Sequence, residues 1–489
     1  MKAVLHEKLL ERHEIIYEGQ TLIEVTGESV VSDKMPDIGL LGDTNAHVLL
    51  RSKRTEAGAG VMEGDLSVDV SYIPDGASGF CVLKLQLPWL AEFQSDSIDG
   101  SNASVGSVRL IHLETRMLNP RKILVKAKLQ GNLRVFSSKK DLLYDDIEEK
   151  NIIQVRREEV SCSVISTVCE KTFAATDEYP LPAGISAVEV IGKSVQFRID
   201  DIKTLTNKLI VKGCVLSDVV VASREGEAER VSFTSAFSFI AETNKERVSD
   251  VVRMDIMPTA MYYEPSADGR ALSVEVHGVC QITAYEERNL PYLSDAYSNF
   301  YSCNSEYGVL NLYRETKKEA HRENLSGSIV CRSQLGCVRF LTSSCIYDGE
   351  QITVTVSACI AYENGTTDWV RKQIDLPLHL REGEKLCEVR LNDLYGGCSG
   401  TELEFRLNVE WDTFIEEPFS VKPLLETEWD EDSPLTSGEH SLWIVRGNGA
   451  LWDIAKKYGS TVMLIQTYNG IEEDEVAGET VLLIPRQRK

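Results

Sequence analysis

No stretch of 18 apolar residues occurs in this 489-residue chain, so the sequence offers no membrane-spanning helix. The opening residues, MKAVLHEKLLERHE, hold no apolar run long enough for a secretory signal, and acids arrive by Glu7. Positive charge is short as well. Against 52 Lys and Arg stand 76 Asp and Glu, a net charge of −24 that repels nucleic acid and anionic membrane surfaces; solubility alone also accounts for such a charge. Together these absences predict a cytosolic protein whose twelve cysteines stay reduced.

The motifs of several chemistries are missing too. There is no Walker A or G-x-G-x-x-G loop to cradle phosphates, and no G-x-S-x-G elbow to present a nucleophile. Gly396-Gly-Cys-Ser-Gly400 falls where a turn between strands is expected, and its glycines suit positive φ. Six residues separate Cys162 from Cys169, and Cys331, Cys337 and Cys345 also lack the C-x2-C spacing that grips zinc. These cysteines are expected as small buried hydrophobes. The histidines are scattered, with His6 and His13 read as surface residues. No catalytic residue, metal or cofactor is expected, and the chain reads as a non-enzyme.

What is present is alternation. A hydrophobic content of 43% and this length predict three or four globular domains. Residues 3–16 fit an amphipathic helix through Val4, Leu5, Leu9, Arg12 and Ile16, with a loop or strand as the other readings. Beyond them, period two dominates to about residue 420. Asp65–Tyr72 puts Leu66, Val68 and Val70 on one face, Pro74-Asp75-Gly76 turns, and Val82–Leu87 returns. Val108–Leu113 and Ile123–Leu129 form a second pair around Asn119-Pro120.

The arrangement recurs, which points to internal repeats. LSVDVSYIPDG at 66 has counterparts in LIVKGCVLSDV at 209 and ITVTVSACIAYENG at 352, each followed by a turn and an apolar return. A later strand recurs at 123, 272 and 403. The expected fold is mainly β: three divergent β-rich repeat domains at 1–140 (with the N-terminal helix), 150–300 and 310–423. An acidic linker follows at 424–440, and its run from Glu426 to Gly438 reads as a flexible, charge-extended tether. A small β-α-α-β module closes the chain at 441–486.

In that module a strand at Leu442–Val445 and a turn at Gly447–Gly449 lead into a helix. Leu451, Ile454, Ala455 and Tyr458 make its apolar face, and Gly459 stops it. Ser460 is placed to cap a second helix, and Thr480–Ile484 closes the unit before Pro485. This segment resembles the LysM module, whose pattern lies on Val445, Leu451, Trp452, Ile454, Ala455, Tyr458, Gly459, Asn469, Gly478, Leu483, Ile484 and Pro485. The resemblance implies binding of N-acetylglucosamine polymers in a groove between the first strand–helix turn and the loop before the last strand. The binding residues it implies, groove and flank, are Gly447, Asn448, Gly449, Ala450, Leu451, Trp452, Tyr468, Asn469 and Ile471. Where the family commonly reads Gly-Asp-Thr, this chain has Asn448, Gly449 and Ala450, which removes an acid and a hydroxyl. Trp452 and Tyr468 read either as flank packing or as open anchors for a partner.

Three β domains followed by a LysM resemble the SPOCS-domain proteins of endospore-forming bacteria. Pro36-Asp-Ile38 and the GDLSVDVSYI strand carry the likeness in the first domain. That resemblance implies a scaffold in spore coat assembly, acting from the mother-cell cytoplasm at the forespore surface. The implied partner is a coat-morphogenesis protein such as the self-assembling ATPase of the coat's basement layer. The rival expectation is a protein that binds peptidoglycan of cortex or wall.

Overall fold

The computed structural model describes residues 1–76, 79–148, 151–223, 227–243, 251–435 and 442–485. The protein is mainly β, with several antiparallel sheets and two short helices among the described residues. A first set of strands comprises β1 (Leu5–Val30), β2 (Ile38–Glu56), β3 (Ala59–Pro74), β4 (Cys81–Gln94), β5 (Ala103–Asn119) and β6 (Lys122–Ile147). A second comprises β7 (Ile153–Pro180), β8 (Glu189–Leu205), β9 (Lys208–Ala222), β10 (Ala228–Glu242), β11 (Val251–Pro265) and β12 (Ala271–Ser298). After β13 (Tyr301–Tyr307) comes a third set: β14 (Leu310–Val330), β15 (Leu335–Tyr347), β16 (Gln351–Tyr362), β17 (Thr367–Pro377), β18 (Glu384–Ser399) and β19 (Glu402–Val421). The chain ends with β20 (Leu424–Pro434), β21 (Leu442–Ala450), α1 (Leu451–Tyr458), α2 (Val462–Asn469) and β22 (Glu475–Pro485).

Within each set the pairing order is the same. The first strand pairs with the sixth, the fifth pairs with the sixth, and the middle three form a separate three-stranded sheet. The two sheets of a set bury their apolar faces against each other. Alternation is why they do: Leu66, Val68, Val70 and Tyr72 of β3, like Ile352, Val354 and Val356 of β16, are fully buried. The strands expected from 66, 209 and 352 lie in β3, β9 and β16, and those from 123, 272 and 403 lie in β6, β12 and β19. The hairpin around Asn119-Pro120 is β5–β6, closed by Asn119 opposite Lys122. At Gly396–Gly400 only Gly400 has positive φ, while Gly396 to Ser399 continue β18.

Two expectations are corrected. The N-terminal helix is strand β1, paired with β6 along its whole length. Burial follows a two-residue step there, with Leu10 and Arg12 buried and Leu9 and Val4 exposed, opposite to what a helical face through Leu9 requires. The acidic linker is ordered at its start as strand β20, paired with β13. Leu424, Thr427 and Trp429 point inward while the acids point out, and Lys2 Nζ answers Glu426 at 2.6 Å and Glu428 at 3.3 Å. Linker residues 436–440 and the module's terminal residues 441 and 486 lie outside the described residues.

The three sets close into a ring. Single bridges, His13 to Ile165 and Ser163 to Tyr313, join β1, β7 and β14 into a nine-stranded sheet. Gln281 clamps Gly106 of the first set, accepting from its N–H at 2.8 Å and donating to its carbonyl at 2.7 Å. Gln196 clamps Leu391 of the third set in the same way, at 3.0 and 3.2 Å. Thr342 donates to Asp43 at 3.1 Å, returning the third set to the first. Apolar contacts follow the same route: Phe80, Ile191, Val220, Phe340 and Cys359 share one buried cluster.

Candidate functional site

The C-terminal segment folds as β21-α1-α2-β22, with β21 and β22 antiparallel. Leu451, Ile454, Ala455 and Ile465 fill its core with Leu482 and Ile484. Gly459 and Gly470 end the two helices in the left-handed region, at φ +65° and +63°. Thr461, not Ser460, caps α2 by accepting from the Leu464 N–H at 3.1 Å. The Ser460 hydroxyl instead donates to the Pro485 carbonyl at 2.5 Å, pinning the end of β22.

The expected turn at Gly447–Gly449 is a bulge at the end of β21, with the register shifted between Gly447 and Gly449 and a φ of +92° at Gly449. It meets the loop before β22 directly: Ala450 lies opposite Glu475, and the Leu451 N–H donates to the Asp474 carbonyl at 2.7 Å. The structure therefore brings Ala450 and Leu451 to the edge of that loop, while Gly447 and Gly449 pair with Thr480 and Val476 inside β22 and Asn448 occupies the bulge between them. Ala450 makes no side-chain cap on α1, and Leu451 is fully buried. Glu472, Glu473, Asp474 and Glu475, all exposed, supply the charge on the other side.

The other four of the nine residues do other work or stand apart. Asn469 holds β22 in place, with Nδ2 donating to the Ile465 and Leu483 carbonyls and Oδ1 accepting from the Leu483 N–H, each at 2.7 Å. Trp452 is turned to the second strand set. Its Nε1 donates to Asp295 Oδ2 at 2.8 Å and its ring meets Tyr297 edge-on, centroids 4.9 Å apart. Lys456 Nζ reaches the same carboxylate at 2.7 and 2.8 Å, and the buried Tyr297 hydroxyl donates to the Ser460 carbonyl at 2.9 Å. Burial alone raises the Asp295 pKa, but bonds from Lys456, Tyr307 and Trp452 outweigh it and hold the carboxyl below its usual range. Tyr468 is open, 57% exposed on α2, and Ile471 is half-buried in the module's core. Asp295 and Tyr297, the module's seat, have no signal of their own in the sequence.

One other group bears on chemistry. Glu319, His321 and Glu384 bring ligand atoms within 4.8 Å of one another. Their charge is already answered: Arg381 reaches Glu319 at 2.6 Å and Glu384 at 3.1 Å, and Lys317 reaches Glu319 at 2.7 Å. His321 stacks on Trp411. All twelve cysteines are free and five are buried; of those expected as small buried hydrophobes, Cys162 and Cys331 are buried and Cys169 and Cys345 half-buried, but Cys337 is exposed, as is Cys398. No described helix is long and apolar enough to cross a membrane. No family model, curated protein or solved structure matches this chain.

Proposed function

We propose that this chain is a non-catalytic scaffold of spore coat assembly, built from three divergent SPOCS-like β domains and a C-terminal LysM module. On this reading it works from the mother-cell cytoplasm, and the module docks a coat-morphogenesis protein at the forespore surface. The carrying observation is the character of the groove. One side is bulged backbone without the acid and hydroxyl that pair with sugar groups, and the other is a run of four exposed acids from Glu472 to Glu475. Such an edge favours a basic protein surface over a neutral N-acetylglucosamine polymer. With Trp452 engaged inside the molecule, the exposed Tyr468 is the aromatic anchor available to that partner.

The test pairs two measurements. The full chain and its Tyr468→Ala variant serve as baits in sporulating cells, with the coat ATPase as the named prey. Calorimetry with a chitin or muropeptide oligomer runs beside them. Expected are loss of the prey in the variant and weak or absent glycan binding. Tight glycan binding with an unchanged pull-down would replace this reading with a peptidoglycan-binding one.

A further inference from the structure

A cavity of about 1060 Å3 lies where the three strand sets meet. Corresponding strands build its wall: β2 and β5 from the first set, β8 and β11 from the second, β18 from the third. The fifth strand of each set carries a Val-Arg pair followed by Leu or Met, Val108-Arg109-Leu110, Val252-Arg253-Met254 and Val389-Arg390-Leu391, and all three arginines line the cavity. Arg109 and Arg390 sit at matching depths along their hairpins, opposite Gln130 and Glu410, while Arg253 sits further in, opposite Thr283. A fourth arginine, Arg134 of β6, joins them.

The hydrogen bonding of these groups is incomplete. Arg134 is 5% exposed, and the side chains of Arg253 and Arg390 are each 10% exposed. Each is held on one part of its guanidinium: Arg134 by Glu416 at 2.7 Å, Arg253 by Asp255 at 3.0 Å, Arg390 by Glu388 at 2.7 Å and Asp412 at 2.9 Å. Yet Arg134 Nε and Nη1, Arg253 Nη1 and Arg390 Nε are buried without any hydrogen-bond acceptor among the described residues. Buried, charged donors left unbonded are costly, and native proteins rarely keep several together. Like charges also face one another here, since Arg134 feels the charge of Arg253. Burial pushes Glu388 up to about 7 against the pull of Arg390, so near neutrality that acid only partly offsets the arginine beside it.

We infer that this cavity is a binding site for a small polyanion, whose carboxylate or phosphate oxygens accept the unbonded N–H groups of Arg134, Arg253 and Arg390. The guanidinium fork matches those oxygens, and donors arriving from three walls call for more than one anionic group. The volume is at the upper end for small-molecule sites. Exposed Arg198, Asp200 and Asp201 also line the cavity, which gives it a solvent-side entrance. This site goes beyond the assembly reading and stands or falls apart from it.

The test is calorimetry on the full chain with inorganic phosphate, citrate and glycerol 3-phosphate, and with chloride at equal ionic strength as the control. At least one of the three should bind saturably and chloride should not. Arg253→Lys and Arg390→Lys, which keep the charge but lose the fork, should each weaken binding tenfold or more, equivalent to about 1.4 kcal/mol. No saturable binding by any of the three overturns the proposal, as does binding kept within twofold in both variants. If circular dichroism shows the variants unfolded, hydrogen exchange on the wild type decides. Slowed exchange in 105–110, 252–258 and 384–390 on adding the anion supports the site, and slowing confined to other segments overturns it.

Discussion

Asp295 offers the sharpest test of how the C-terminal module is held. Its carboxylate accepts from Trp452 Nε1 at 2.8 Å and from Lys456 Nζ at 2.7 and 2.8 Å. A hydrogen bond to an ionised group contributes about 1.5–3 kcal/mol. The Lys456 side chain is 42% exposed, so its ion pair is screened and adds only ~0.2–1 kcal/mol. Asp295→Ala should therefore cost roughly 2–3 kcal/mol of docking free energy, a shift of about 30- to 150-fold towards the undocked state. Hydrogen exchange in the full chain reads this directly, and amides of 451–458 should exchange faster by about that factor while the β body is unchanged. Acidity gives a second handle. The Asp295 pKa is depressed on folding, so its contribution is fully present above the unfolded value of about 3.9 and is lost as pH falls through the folded value. Exchange in α1 that stays within twofold of wild type in Asp295→Ala would refute this account of the seat.

Ile454→Ala removes a buried side chain from the module core and should cost roughly 2–5 kcal/mol, measured by circular dichroism melting of residues 441–489, whose wild-type fragment should itself unfold cooperatively. The twelve thiols should all label after denaturation without reductant, with exposed Cys337 and Cys398 labelling first in the native protein; burial pushes Cys162 and Cys387 up to about 11, so these should lag. Burial alone would raise the Glu416 pKa, but Arg134, Arg253, Lys385 and Tyr285 bring it down to about 2. Its contribution of roughly 3 kcal/mol should hold above the unfolded value of about 4.3 and fade as pH falls towards 2, and Glu416→Gln should flatten the acid limb of the stability curve measured by denaturant unfolding.

The β architecture was legible because its signal is local. Strict alternation in Leu66–Tyr72 reports one apolar face whatever that face meets, even though Asp69 and Ser71 of the other face are buried too, and the same pattern starting at 209 and 352 marked the recurring strand. Residues 3–16 misled because β1 shifts register between Ile15 and Tyr17, which breaks the alternation just where Ile16 completes a helical spacing. The acidic run misled because composition dominates a linker reading, whereas what orders β20 is remote in sequence: its ladder with β13 and the opposite end of the chain. The Met1 amine donates to the Trp429 carbonyl at 2.5 Å, and Lys2 neutralises the neighbouring acids. The elements of the C-terminal module were locatable by spacing, but the inward turn of Trp452 depends on Asp295 and Tyr297, over 150 residues upstream. The Val-Arg pairs stood in the sequence at 108, 252 and 389, yet only the ring makes them neighbours of one cavity.

That ring makes its three strand sets interdependent in a way that the terminal module is not. Arg134 of the first set has its carboxylate partner, Glu416, in the third, and Tyr285 of the second donates to the same carboxylate. Removing the third set by truncation would leave a buried guanidinium uncompensated, a loss in the range of about 3–5 kcal/mol before any apolar surface is counted. It would also uncover Phe80 and Ile191, which pack with Phe340 and Cys359 in a cluster drawn from all three sets. The two glutamine clamps would fare differently, since Gln281 keeps Gly106 but Gln196 loses Leu391. A chain cut after residue 300 is therefore expected to aggregate or expose apolar surface to a hydrophobic dye, whereas a cut after residue 435 removes only the module and its seat contacts. A soluble, cooperatively unfolding 1–300 fragment would show that the ring is an arrangement of independent domains and that its cross-set ion pair contributes little.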